Sequence, residues 1–154
     1  MHISSIARVG IFGSAGSGKS NTAYVLLEEL RARGLCCAII DIYDEYHGLK
    51  GTERVRAAEI SPGQLANDLR ISNASVTISL SGVDRQIWVR DFVQSCLRMK
   101  RNDPITIVLD EAHNFAPQSG KAKSKIAIMQ LASEGRKQGY GCVLISQRIA
   151  KLDK

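Results

Sequence analysis

The sequence predicts an α/β fold in which a mainly parallel sheet is flanked by helices. Three observations carry this expectation. Short, largely apolar runs occur at residues 7–12 (ARVGIF, broken by Arg8), 35–42 (LCCAIIDI, apolar up to Asp41), 105–109 (ITIVL) and 142–145 within GCVLIS. Runs of this kind suit strands covered on both faces, because a strand with one wet face alternates apolar and polar residues. Between them lie stretches with helical spacing, and a glycine-rich turn joins the first run to the first such stretch. Strands that alternate with helices give a parallel sheet.

Taken in order, residues 7–12 form a strand that delivers the chain into the glycine turn, and residues 19–33 form a helix. Ala23, Leu26, Leu27 and Leu30 make its buried face, and Gly34 stops it. Residues 35–42 are the second strand. Residues 43–71 are harder to read: Gly48, Gly51, Pro62 and Gly63 interrupt them, and only a short helix around 64–69 is expected there, with a strand at 76–80. Val83, Ile87, Trp88, Phe92, Cys96 and Leu97 recur at helical spacing, with Ser81 and Asp84 placed as a capping pair and Asp103–Pro104 as the break. Strand 105–109, a helix over 123–138 and strand 142–145 complete the reading, with no internal repeat.

A chain of 154 residues is expected to form one domain over 1–154, with a composition (44% hydrophobic, 23% charged) ordinary for a globular protein. No apolar run reaches the roughly 18 residues a membrane span needs, and the N-terminus lacks a secretory pattern, so a soluble, cytoplasmic protein without membrane contact is expected. Cys36, Cys37, Cys96 and Cys142 form no C-x-x-C pair and sit among apolar residues, which reads as buried, reduced thiols. The net charge of +6 is unevenly spread: residues 1–97 hold ten basic and ten acidic side chains, residues 98–154 eleven and five. A basic last third attracts phosphate polymers through counterion release, although a solvated face has the same composition.

Residues 13–20 read GSAGSGKS, a full match to G-x-x-x-x-G-K-[ST] between a strand and a helix. Glycines let successive backbone N–H groups converge on phosphate, and the helix N-terminus adds its positive dipole end. Gly13, Ser14, Ala15, Gly16, Ser17, Gly18, Lys19, Ser20 and Asn21 are therefore the candidate residues for binding ATP, with Lys19 reaching the β- and γ-phosphates and the Ser20 hydroxyl ligating Mg2+. Asp110 ends the apolar strand 105–109, where ligands collect in open α/β sheets, and is the second Mg2+ group. Glu111 beside it is the candidate general base, which points to hydrolysis. Gln147, at the tip of the last strand, is the candidate γ-phosphate sensor, or else an ordinary strand-end polar residue. Arg136 in SEGRKQG is the better of two cations for an anion site across a subunit boundary, and a solvated helix end explains it equally well. His113 and Asp41 are read as structural.

In order and spacing, GSAGSGKSNTAY, DIYDEYHGL, IVLDEAHNFAP and SEGRKQGYGCVLISQRIAKLD resemble the HerA branch of the HerA/FtsK superfamily of ring-forming P-loop ATPases. The resemblance spans nearly the whole chain. It implies a RecA/ASCE-like P-loop NTPase fold and an ATP-hydrolysing motor, of DNA translocase or helicase type, that moves double-stranded DNA through a hexameric ring, as in repair, transfer or viral packaging. It also implies the catalytic set Lys19, Glu111 and Gln147, with Arg136 acting in trans. Relatives carry a small N-terminal β-barrel and at least one further strand after the SQR segment. This chain starts at the P-loop strand and stops at Lys154, so a minimal viral or mobile-element version, or a truncated product, is expected, with the outer edge of the P-loop strand uncovered unless another segment or a protein partner pairs with it. A nucleotide-gated interaction module, or a protein-translocating ATPase, is the alternative. The letters DEAH suggest a two-lobed helicase, which 154 residues cannot supply, and Glu111 with the SQR strand end argues against a small-molecule kinase.

Overall fold

The computed structural model describes residues 7–117 and 120–147. Six strands, β1 (Arg8–Phe12), β2 (Cys36–Asp41), β3 (Glu53–Arg56), β4 (Val76–Ser79), β5 (Ile105–Leu109) and β6 (Tyr140–Ser146), form one sheet in the order β1-β6-β5-β2-β4-β3. Every pairing is parallel. Four helices fill the crossovers: α1 (Lys19–Ala32), α2 (Pro62–Ser72), α3 (Arg85–Leu97) and α4 (Lys125–Gln138).

The apolar runs are continuous because both faces of the central strands are covered. Cys37 and Ile39 of β2, Val108 of β5 and Val143 and Ile145 of β6 pack with Leu27 and Leu30 of α1. Their neighbours Ala38, Ile40, Ile107, Leu109 and Cys142 face α2, α3 and α4 through Leu65, Trp88, Phe92 and Leu131. Each core strand thus splits its side chains between two clusters. Cys37, Cys96 and Cys142 are buried, Cys36 is half-buried, and none is disulfide-bonded.

Local readings of residues 43–103 need correction. β3 has the sequence ERVR, which carries no apolar run, because it is an edge strand with little to bury. Its arginines are satisfied by ion pairs, Arg54 with Asp44 at 2.8 Å and Arg56 with Glu59 at 2.7 Å, and charge on an edge also discourages pairing with other chains. α2 is longer than expected: Ser61 caps it by accepting from the Gln64 amide, and Pro62 occupies its first turn, where a missing N–H costs nothing. Asp84 caps α3 by itself, accepting from the Gln86 and Ile87 amides at 3.1 Å each, with no part played by Ser81. That helix ends at Leu97, well before Asp103.

β1 is the opposite edge, and among the described residues no strand pairs with its outer side. Phe12 at its end is 42% exposed. The expectation that residues 7–12 form a strand covered on both faces is therefore corrected: only Ile11 of β1 is buried, because β1 lies at the edge of the sheet.

Because every helix runs antiparallel to the strands, the C-termini of α2, α3 and α4 meet at one end of the sheet. Arg101 ties them. Its buried guanidinium donates to Leu69 O at 2.8 Å, Asn73 Oδ1 at 3.0 Å and Asp103 O at 2.9 Å, and its own amide donates to Gln138 O. Arg101→Ala leaves carbonyls at a helix end without donors and is expected to cost about 2–4 kcal/mol. A lower urea midpoint with an unchanged slope would register this loss.

Candidate functional site

The strand ends opposite Arg101 enclose a cavity of about 370 Å3. Its floor is the turn after β1. Gly16 (φ 75°) and Gly18 (φ 84°) adopt left-handed backbone that only glycine takes at little cost. Gly13 packs closely on the turn, since a Cβ there would lie 2.3 Å from Ser17 Oγ and oblige that side chain to move. Gly18 is the N-cap of α1 and supplies no side chain to its first turn. A helix whose first N–H groups lack a side-chain cap presents donors and positive dipole to whatever occupies the cavity. Lys19 Nζ folds over the turn and donates to Ser14 O at 2.7 Å.

Of the residues singled out in the sequence, Ala15, Gly16, Gly18, Lys19, Ser20, Asn21, Asp110, Glu111 and Gln147 all line this cavity. Gly13, Ser14 and Ser17 shape the turn behind them. The P-loop and the acidic pair thus meet, because β1 and β5 are parallel and only β6 lies between them. Gln147, at the end of β6, donates from Nε2 to Glu111 Oε1 at 2.7 Å. Glu111 holds a left-handed conformation (φ 46°, ψ 48°), which is strained for a side chain with a Cβ and costs on the order of 1–2 kcal/mol. The strain turns its carboxylate towards the cavity, where it is 8% exposed.

His113 does more than fill space. Its Nδ1 lies 3.1 Å from both Ser146 Oγ and Glu111 Oε2. Only the serine contact has hydrogen-bond geometry, so Glu111 Oε2 is left without an aligned donor. Asp41 is structural, as the sequence suggests: its carboxylate accepts from the Glu45 and Tyr46 amides at 3.0 and 2.9 Å and so fixes the loop after β2.

That loop supplies the residue missed by the sequence reading. Glu45 lines the cavity, and Ser20 Oγ donates to its Oε2 at 2.9 Å. Its signal was present in the D-x-x-x-E-Y spacing, where a strand-end aspartate that caps its own loop fixes the carboxylate four residues on. Arg136 is the residue the structure does not bring in. It is exposed on the last turn of α4, and β6 begins four residues later and runs its full length before reaching Gln147. Seven strand residues place it about 20 Å from the cavity of its own chain. Arg148 lies outside the described residues.

Three carboxylates, Glu45, Asp110 and Glu111, therefore crowd the cavity rim, with buried Asp41 behind them. Burial first, then the charges of Glu45, Glu111 and Asp41, push the Asp110 carboxyl up to about 7 against an opposing hydrogen bond from the Glu111 amide. Burial likewise raises Asp41. An excess of negative charge beside Lys19 and an uncapped helix start suits a polyanion that brings a divalent cation with it.

Comparison with known proteins agrees with this geometry. The sequence pattern of the family described as "Helicase HerA, central domain" matches residues 5–138. The chain belongs to that family. A segment of 52 residues is 46% identical to the DNA double-strand break repair helicase HerA of Pyrococcus furiosus, covering 33% of this chain and 9% of that protein. Another of 50 residues is 46% identical to a probable helicase of Methanocaldococcus jannaschii, covering 32% and 10%. The matched segments thus span about a tenth of those relatives. The fold is similar to that of the genome packaging NTPase B204 from Sulfolobus turreted icosahedral virus 2 in complex with ATP-gammaS, with a TM-score of 0.73 at 20% identity over 98% of this chain and 69% of that one. Its complex with AMP gives 0.76 at 19% identity over 98% and 70%. This HerA-family domain is a P-loop NTPase fold, and none of its helices among the described residues is long and apolar enough to cross a membrane.

The raised Asp110 makes a testable demand on stability. Between pH 4 and 7 the folded chain holds a proton at Asp110 that the unfolded chain has released, so stability falls as pH rises through that window and the full cost is present above pH 7. In EDTA at pH 8, Asp110→Asn is expected to be more stable than the parent by on the order of 2–4 kcal/mol, with the gap closing by pH 4. Thermal melts at the two pH values decide it; a gap that does not change with pH would place the charge elsewhere.

Proposed function

We propose that residues 1–154 act as one domain that binds ATP with Mg2+, hydrolyses the nucleotide and couples turnover to the movement of double-stranded DNA. The observation that carries the hydrolytic part is the meeting of Gln147 and Glu111 at 2.7 Å beside the uncapped start of α1. It joins a strand-tip amide, a carboxylate and a phosphate cradle in one cavity.

The residues present fit Mg2+. Ser20 and Asp110 are hard oxygen donors, and one or two protein groups plus substrate phosphates are its usual ligand set. Among the described residues no group of three or more His, Cys, Asp or Glu side chains is placed to hold a metal ion. Bound Mg2+ supplies charge neutralisation across the phosphate oxygens. The other roles belong to the chain. Lys19 and the first amides of α1 hold the phosphate tail. Glu111 accepts a proton from, or orients, the attacking water, with His113 against its second oxygen. Gln147 links phosphate occupancy to the base, because a phosphate that attracts its amide draws it away from Glu111. Arg136 serves only a neighbouring copy's nucleotide, which calls for a homo-oligomer, a hexameric ring by family resemblance.

Support for DNA comes from two sides. One relative is a DNA repair helicase and one structural neighbour a genome packaging enzyme by name. In this chain Arg98, Lys100, Arg136 and Lys137 are exposed together at the C-terminal ends of α3 and α4. A second reading is a nucleotide-gated module whose protein partner covers the outer edge of β1, which no strand among the described residues pairs with.

Glu111→Gln is expected to lower phosphate release by 100-fold or more while ATP affinity stays within a few-fold, whereas Lys19→Ala is expected to weaken ATP binding itself. Unchanged turnover in Glu111→Gln removes that residue from the mechanism. Duplex DNA is expected to accelerate the parent's turnover at low salt and to lose that effect as salt rises. A rate indifferent to duplex, with oligomer size responding to ATP and a partner protein, would favour the module.

A further inference from the structure

The loop after β2 gives the cavity a carboxylate that neither the P-loop nor the acidic pair provides. Ser20 Oγ donates to Glu45 Oε2 at 2.9 Å. A serine hydroxyl has one proton and two lone pairs. With the proton committed to Glu45, the lone pairs remain for a cation, and a hydroxyl hydrogen-bonded to a carboxylate is a stronger electron donor. Partners of this kind, which orient a ligand and raise its basicity, are half of what makes a metal site selective and tight.

The loop is built to keep Glu45 in place. Asp41 accepts from its amide and from that of Tyr46. Tyr46 is 1% exposed and stacks on Tyr24 of α1 at 6.2 Å, so the residue after Glu45 is pinned to the helix that carries Ser20. Asp44, before it, takes a left-handed turn (φ 56°) and is paired with Arg54 of β3. Glu45 itself is exposed to the cavity and contributes little to the core. A second observation points to a cationic ligand nearby: Glu111, nine-tenths buried, lines the same cavity, with one oxygen accepting from Gln147 and the other, against His113 Nδ1, left without an aligned donor.

We infer that Glu45 is a positioning residue of the cation site, accepting the hydrogen bond of the Ser20 hydroxyl and thereby presenting the Oγ lone pairs to the Mg2+ that accompanies the nucleotide. The inference rests on the nucleotide-binding reading above and adds a third strand end, that of β2, to the site.

Binding of a fluorescent, non-hydrolysable ATP analogue, titrated with Mg2+, reads this without turnover. Glu45→Ala is expected to raise the Mg2+ midpoint about 10- to 100-fold, with analogue binding in EDTA unchanged. Glu45→Gln keeps an acceptor oxygen without the charge and is expected to fall between. In a Ser20→Ala background the effect of Glu45→Ala is expected to vanish, since there is no hydroxyl to orient. An unchanged midpoint, a shift that survives in full without the Ser20 hydroxyl, or equal losses with and without Mg2+ would each overturn the inference while leaving the nucleotide site intact. Absence of any Mg2+-dependent binding in the unaltered protein would overturn both the inference and the reading beneath it.

Discussion

Parallel pairing of β1, β6 and β5 sets the distance on which the site depends. Neighbouring strands lie about 4.8 Å apart, so the interposed β6 holds the P-loop strand and the Asp110 strand about 10 Å apart at their tips. That gap is wide enough for a phosphate chain with its cation and too wide for Lys19 to neutralise the acidic pair directly. The intervening strand then delivers Gln147 into the middle of the gap, within reach of Glu111. An antiparallel β6 would put Gln147 at the far end. Direction and order of the strands, more than any single side chain, assemble the chemistry.

The chain accepts costs at this place that its core does not show. Glu111 is held in left-handed backbone, Asp110 is buried beside like charges, and the Tyr46 hydroxyl and one Glu111 oxygen are buried without aligned partners. Each departs from the rule that buried polar groups are satisfied and backbones relaxed. Elsewhere Asp84 caps α3, Trp88 Nε1 donates to Ala57 O, and Arg101 closes the far end of the sheet. Strain is concentrated where a charged ligand can relieve it.

The central strands and the P-loop could be read from sequence because their physics is local: a strand buried on both faces is apolar throughout, and a left-handed turn asks for glycine. Three things could not. β3 is a charged edge strand whose existence follows from pairing with β4, and ERVR shows nothing of that partner. The role of Glu45 appears only when α1 brings Ser20 against the β2 loop, a contact between residues twenty-five apart. His113 looked structural because a lone histidine after an acidic pair has no periodic signature; its meeting with Ser146 is set by the β5–β6 register.

The placement of Arg136 narrows what an active assembly requires. One parallel sheet has its cavity at the strands' C-terminal ends and Arg136 at the opposite end, with the length of β6 between them. No side-chain rotation spans that separation, so under the proposed role Arg136 reaches nucleotide only on another copy whose opposite end faces this cavity. A contact joining unlike ends cannot be the self-complementary patch of a two-fold dimer; it is heterologous, and heterologous contacts close into rings or extend into filaments. Within such an assembly the acidic rim formed by Asp110, Glu111 and Glu45 would face the basic end formed by Arg98, Lys100, Arg136 and Lys137. On the proposed function, the charge asymmetry first visible in the last third of the sequence would have two uses, toward a neighbouring copy and toward a polyanion, and Arg136 would belong to the first.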